Sequence, residues 1–120
     1  MSEEIKKIIE SEGGKIEDWI SVSERPGKEP FAIEANYSIN GYFWGKIHIR
    51  NEGDLYVLII SKDVFNWKER IKDLKLSGEV VDAAGGLMWI SESSTQSLEK
   101  DFEYLKSYIE SLKKQKAKYF

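Results

Sequence analysis

Aromatic and basic residues alternate along one stretch of the sequence, at the spacing that places them on one face of a strand: Tyr42, Trp44, Lys46, His48 and Arg50. Rings interleaved with basic groups can stack on nucleic-acid bases or on another flat ligand. The same residue types are enriched in protein interfaces. The net charge of the chain is −3, so no global attraction draws it to nucleic acid or to an anionic membrane. The pattern predicts a binding face and favours a protein partner over nucleic acid.

Few residues are placed for acid–base chemistry. His48 is the single histidine, which excludes a site built from several histidines, and no nucleophile stands at a recognisable spacing from it. Glu34 and Asp82 lie on predicted strands and could act as a carboxylate pair only if they faced each other across a cleft. The sequence lacks cysteine and lacks the glycine patterns that bind phosphate. We therefore predict a non-enzymatic protein without metal or cofactor, and keep an acid–base enzyme using Glu34 or Asp82 as an alternative.

The composition is that of a single globular domain spanning residues 1–120. Hydrophobic residues make up 41% of the chain and charged residues 32%, which is enough apolar material for a core. The longest apolar run, residues 55–60, is far shorter than the roughly 20 residues that span a bilayer. The acidic start is not followed by a long apolar run, so we expect a cytoplasmic location. Abundant Lys, Glu and Ile without cysteine is compatible with a thermophilic source.

The N-terminal region has apolar residues at helical spacing on both sides of Gly13 and Gly14: Ile5, Ile8 and Ile9 before them, and Ile16, Trp19 and Ile20 after them. A helix running through both glycines would lose about 2 kcal/mol relative to alanines. We therefore predict helix on both sides of a break at the glycines. A strand over residues 19–23 is the alternative.

Two strands follow, and the turn between them determines how their faces align. Odd-numbered positions are apolar in residues 31–39, and Phe43, Ile47 and Ile49 share one face of residues 42–50. A two-residue turn at positions 40–41 would set apolar residues opposite polar ones, because side chains alternate with period two. We therefore predict a three-residue loop, residues 39–41, with Gly41 in the left-handed conformation.

The third strand, residues 55–60, is apolar at every position, so we expect both of its faces to be covered. A four-residue turn at positions 51–54 would pair Arg50 with Leu55 and place Val57 and Ile59 on the face of Trp44. We therefore include Val57 and Ile59 in the predicted binding face. That face would expose an apolar patch of several hundred Å² if nothing covered it, which soluble monomers seldom tolerate. The first segment, a second subunit or another partner could cover it, and we favour a second subunit.

The second half of the sequence predicts helix, hairpin and helix. A capping-box pattern at residues 66–69 opens the first helix, which carries Trp67, Ile71 and Leu74. Residues 80–81 and 87–90 read as the two strands of a hairpin. Ser93 with Gln96 is a second capping-box pattern. The long C-terminal helix that follows has a predicted buried stripe: Leu98, Phe102, Leu105, Ile109 and Leu112.

The predicted fold is therefore α+β, with the order α-β-β-β-α-β-β-α. An antiparallel sheet of about five strands, a three-strand meander plus a hairpin, is packed by helices. This order and length resemble the type III secretion chaperone-like fold group of small, often dimeric domains, over nearly the whole chain. The resemblance implies a binding or adaptor scaffold and carries over no signature residues.

The leading functional hypothesis is a chaperone-like protein-interaction adaptor that forms a homodimer, binds an unidentified protein partner and does not associate with membranes. One alternative is single-stranded nucleic-acid binding on the Tyr42, Trp44 and His48 face. The other alternative is an unidentified acid–base enzyme.

Overall fold

One antiparallel sheet with helices packed on it makes up residues 1–61, 70–82 and 87–119, the part of the chain that the computed structural model describes. The helices and strands are α1 (Ser2–Ser11), β1 (Gly14–Ile16), β2 (Ile20–Val22), β3 (Ala32–Ile39), β4 (Phe43–Arg50), β5 (Leu55–Ser61), β6 (Glu79–Asp82), β7 (Leu87–Ser93) and α2 (Thr95–Tyr119). A short 3-10 turn covers Ile71–Asp73. The α+β class is as predicted.

The strands lie in the order β1-β3-β4-β5-β7-β6, and every neighbouring pair is antiparallel. The predicted meander is β3–β5, and the predicted hairpin is β6–β7. Both β1 and β2 pair with β3, so they form the two halves of one broken outer edge. The hairpin turn at residues 83–86 lies outside the described residues.

The segment after α1 is not the second helix that the periodicity favoured. It pairs along β3, with Gly14 opposite Ile39 and Val22 opposite Ala32, so the alternative of a strand near residues 19–23 is closer to the structure. A Cβ atom at Gly14 would lie 2.3 Å from the backbone oxygen of Ser38. The second glycine of the pair therefore permits a close approach to β3, which the helical spacing of the neighbouring residues does not reveal.

The β3–β4 hairpin aligns the apolar faces of its strands. Ile39 pairs with Phe43 across a three-residue loop, 40–42, and Gly41 has a φ of +82°. The backbone N–H of Tyr42 donates to the carbonyl of Ile39 at 3.0 Å and closes the turn. The predicted loop length and left-handed Gly41 are confirmed, but the loop lies one residue later than expected. Both registers align the apolar faces because they differ by an even number of positions.

The β4–β5 connection overturns the predicted register. Ile49, not Arg50, pairs with Leu55, so five residues, 50–54, separate the paired positions. Two backbone hydrogen bonds close this turn, from Gly53 N to Arg50 O at 2.8 Å and from Arg50 N to Asp54 O at 3.0 Å. A shift by one residue moves every β5 side chain to the opposite face of the sheet.

The core lies between the helices and one face of the sheet. All residues of the predicted stripe on α2 are buried: Leu98, Phe102, Leu105, Ile109 and Leu112. They pack with Ile5 and Ile9 of α1 and with the helix-facing side chains of the sheet. Ser94, not Ser93, caps α2, because its Oγ accepts the N–H of Ser97 at 3.3 Å.

The segment before β6 is tied to α2. The carboxylate of Asp101, which is buried, accepts hydrogen bonds from the backbone N–H and the hydroxyl of Ser77. The Tyr104 hydroxyl accepts the N–H of Lys75 at 3.3 Å. The start of the helix predicted from residue 66, including Trp67, lies outside the described residues.

Candidate functional site

The sheet face turned away from α1 and α2 has no helix packed on it within the described part of the chain, and we call it the open face. It consists of every second side chain of the three central strands: Glu34, Asn36, Ser38, Trp44, Lys46, His48, Arg50, Tyr56, Leu58 and Ile60. The alternate positions of the same strands face the helices. The open face is the surface on which a ligand or partner could approach the sheet.

The predicted binding face corresponds only in part to the open face. Trp44, Lys46, His48 and Arg50 lie on it, as predicted. Val57 and Ile59 do not, because the five-residue β4–β5 turn places them on the helix side, where both are 0% exposed. Their places are taken by the alternate side chains of β5, which the predicted four-residue turn would have put on the opposite face: Tyr56, Leu58 and Ile60.

Tyr42 also lies away from the open face. It ends the β3–β4 loop and packs on the helix side, with its ring centre 5.6 Å from Lys106 Nζ and 5.4 Å from Lys113 Nζ. A hydrogen bond with Glu110 raises the pKa of the Tyr42 hydroxyl. The alternation of residues 42–50 suggested that Tyr42 continues the strand, but β4 begins only at Phe43. Tyr42 therefore attaches the hairpin to α2.

A compact polar network occupies one end of the open face. Glu34 lies directly opposite His48, with 2.8 Å between Oε1 and Nδ1, and its Oε2 lies 3.3 Å from Lys46 Nζ. Burial by itself raises the pKa of Glu34, but the hydrogen bonds and charges of His48 and Lys46 outweigh that effect and lower it. Glu34 is thus held as a carboxylate, which is not the state of a general acid at neutral pH.

Aromatic rings surround the remaining basic groups. The His48 ring lies 6.2 Å from the ring of Phe31 and 5.7 Å from that of Tyr56, measured between centres. The Arg50 guanidinium stacks over Tyr56 at 5.1 Å. Lys46, His48 and Arg50 therefore each have a partner within the chain, either a carboxylate or an aromatic ring.

A groove of about 750 Å³ lies at the other end of the open face. Its apolar lining includes Trp44, Leu58 and Ile60, and its polar lining includes Asn36 and Lys46. Trp44 is 38% exposed, which is high for a tryptophan in the middle of a sheet. The groove combines an apolar surface with a few polar groups, the usual composition of a binding site.

Gly45 also lines the groove, and the Leu58 backbone leaves no room for a side chain at this position. A Cβ atom at this position would lie 1.8 Å from the backbone oxygen of Leu58. On the helix side, Tyr37 pairs with Gly45, and its hydroxyl donates to that same Leu58 oxygen at 3.0 Å. The side chain of Tyr37 is buried, and its burial raises the pKa of the hydroxyl well above the ordinary value. Gly45 therefore supports both the groove and the core beneath it.

A cluster of carboxylates lies away from the open face, where α1 meets α2. Oxygen atoms of Glu12, Glu99 and Glu103 lie within 4.8 Å of one another. Lys106 Nζ is 3.0 Å from Glu12 Oε2 and also donates to the Glu12 carbonyl at 3.4 Å. An ammonium group thus already neutralises the buried member of this cluster. The side chain of Asp82, the second candidate for acid–base chemistry, lies outside the described part.

Comparison of the chain with protein-family models, with curated proteins and with solved structures found no match. None of the described helices has an apolar stretch long enough to cross a bilayer.

Proposed function

We propose that this protein is a non-enzymatic interaction module, an adaptor or chaperone-like protein, that docks a protein partner on the open face. The observation that carries this proposal is the apolar groove lined by Trp44, Leu58 and Ile60. Exposed apolar surface on a folded domain is favourable to bury, and tryptophan is among the residues that contribute most to protein binding. The resemblance in element order to a group of binding scaffolds agrees with this proposal.

The charges of the open face favour protein over nucleic acid as the partner. Binding a phosphate backbone requires cations that are available to neutralise it. Lys46 and His48 are instead engaged by Glu34, and Arg50 stacks on Tyr56. The net charge of −3 adds no long-range attraction. The aromatic and apolar residues of the face therefore account for more of its binding capacity than its basic residues do.

The same pairing disfavours an acid–base enzyme. Catalytic acids and bases need a pKa near the working pH, whereas the pKa of Glu34 is lowered. Both carboxylate oxygens of Glu34 are occupied, one by the His48 ring and the other by the Lys46 ammonium, so the network stabilises itself rather than a substrate.

Site-specific photo-crosslinking tests the proposal. Benzoylphenylalanine would replace Trp44, an aromatic position on the open face, or Lys7, an exposed control position on α1. Circular dichroism would first establish that both proteins are folded. After irradiation in a lysate of the cells that produce the protein, we expect protease-sensitive adducts from position 44 and few from position 7. Nuclease-sensitive adducts at position 44, equal labelling at both positions, or no adducts would overturn the proposal.

A further inference from the structure

We infer that the partner docked on the open face is a second copy of this chain, related to the first by a two-fold axis. This inference rests on the proposed function and identifies the partner. In a two-fold interface the same surface is present on both sides, so that surface must be large enough, neutral enough and apolar enough to pack on itself. The described residues of the open face meet all three requirements.

The whole side of the sheet that has the open face at its centre is close in area to one half of a stable interface. The sheet is six positions wide, and β3 and β4 are each eight residues long. With strands about 4.8 Å apart and a rise of about 3.3 Å per residue, the sheet plane measures roughly 24 by 26 Å, or about 600 Å². Because side chains protrude from the sheet, the solvent-accessible area is larger than the area of the flat plane. A standard interface buries about 800 Å² on each partner, so a face-to-face pair is adequate.

The charges of the face suit a copy of itself. A surface with a single sign would select an oppositely charged partner and repel its own copy. Here both signs are present, and Lys46 and Glu34 pair with each other at 3.3 Å within the chain. Packing two such faces together therefore does not set one uniform charge against itself, and the Lys46 and Glu34 charges enter the contact already paired.

Apolar residues of the face also lie beyond the groove, towards both margins of the sheet. Val81 of β6 is 49% exposed and is aligned with Leu58 through their shared β7 partner, residue 89. Ile20 of β2, opposite Glu34, is 62% exposed. Apolar groups thus lie at both sheet margins as well as around Trp44. The sequence interpretation based a dimer on Val57 and Ile59, which are buried, and the alternate side chains provide the contact surface in their place.

Light scattering on the purified chain, with matched variants, tests this inference. We expect a molar mass of twice 13.9 kDa for the wild type. Leu58→Lys and Ile60→Lys should convert it to a folded monomer, because each buries a charge in an apolar contact. Trp44→Ala should weaken the dimer about 30-fold, the effect of losing a binding hot spot worth about 2 kcal/mol. Ser107→Lys, at an exposed position on α2, should leave the mass unchanged.

The outcomes separate this inference from the proposed function. A wild type that stays monomeric at high concentration overturns the second-copy inference. If position 44 then crosslinks a different protein, the proposed function stands. A dimer that resists both Leu58→Lys and Ile60→Lys also overturns the inference, because its contact lies elsewhere. Circular dichroism of each lysine variant distinguishes dissociation of the dimer from unfolding of the chain. If a lysine variant does not fold, the molar mass of Trp44→Ala tests the same contact.

Discussion

The two faces of the sheet are built from the same strands, yet they have opposite properties. Ile47, Val57 and Ile59 are completely buried against the helices, whereas their immediate neighbours in the chain remain partly in solvent. Val57 and Leu58 are both large and aliphatic, so hydrophobicity does not explain their different environments. The pairing register does, because it decides which alternate set of side chains meets the helices.

Aromatic residues also serve different purposes on the two faces. Beneath the helices, Tyr37, Phe43 and Phe102 pack as a cluster with ring centres 5.5 to 6.3 Å apart. On the open face, the ring of Tyr56 supports the cation of Arg50. The helix side is thus organised by close packing of rings, and the open face by satisfying charged groups. We therefore expect substitutions on the helix side to change stability and substitutions on the open face to change association.

The largest expected difference between the faces concerns their aromatic residues. Phe102→Ala should lower the free energy of unfolding by about 3–5 kcal/mol, because it leaves a cavity among buried rings. Trp44→Ala, measured where the chain is monomeric, should lower it by about 1 kcal/mol or less. Urea unfolding followed by circular dichroism gives both values. Comparable losses would mean that Trp44 is part of the core and that the two faces do not differ as described.

A smaller effect is expected from removing one hydroxyl on each side. Tyr37→Phe deletes the donor to the Leu58 carbonyl and should cost about 1–3 kcal/mol, the usual penalty for leaving a buried polar group unsatisfied. Tyr56→Phe is the matched control, and its effect should be close to zero because Tyr56 is partly solvent-exposed. The same unfolding experiment measures both. If Tyr37→Phe leaves the free energy of unfolding unchanged, the Leu58 carbonyl must find another donor.

The smallest effect is a pH dependence that arises on the open face. The pKa of Glu34 is lowered below its ordinary value of 4.5, so its ion pairs stabilise the fold above that pH. The stabilisation should disappear as the pH falls from about 4.5 through the lower pKa of the folded state. Because Glu34 is only partly buried, we expect about 0.2–1 kcal/mol.

Comparison of the wild type with Glu34→Gln measures this contribution. Above pH 5 the wild type should have the higher free energy of unfolding. The difference between the two proteins should shrink in more acidic solution. A gap that is constant with pH would show that the ion pairs of Glu34 do not contribute to folding.

The sequence is informative wherever its pattern alternates, and ambiguous where it does not. In β3 and β4, polar and apolar residues alternate, so only an odd-length loop aligns the apolar faces; the predicted loop length was correct, and its position was wrong by one residue. In β5 every residue from Leu55 to Ile60 is apolar, so a four-residue and a five-residue turn are equally compatible with the pattern. The choice depends on backbone hydrogen bonds in the turn, from Gly53 and Arg50, which composition does not reveal.

The residues of the candidate site could likewise be predicted only where polar and apolar residues alternate in the sequence. Trp44, Lys46, His48 and Arg50 could be placed together because they alternate along one strand. Leu58 and Ile60 could not, because their face depends on the β4–β5 turn. The missing helix after Gly14 has a similar cause, since apolar residues at helical spacing also occur in short strands that pair with a long neighbour.

The broken outer edge of the sheet affects how larger aggregates could grow. A continuous edge strand presents a row of unpaired N–H and C=O groups on which further strands can assemble into fibrils. β1 and β2 are only three residues long, and exposed Glu17 and Asp18 lie between them. Neither segment is long enough to template an added strand, and the two carboxylates repel an identical edge. The proposed sheet-to-sheet contact through the open face would close after two copies, whereas edge-to-edge growth would not, so the interruption between β1 and β2 disfavours open-ended polymerisation from this edge of the sheet.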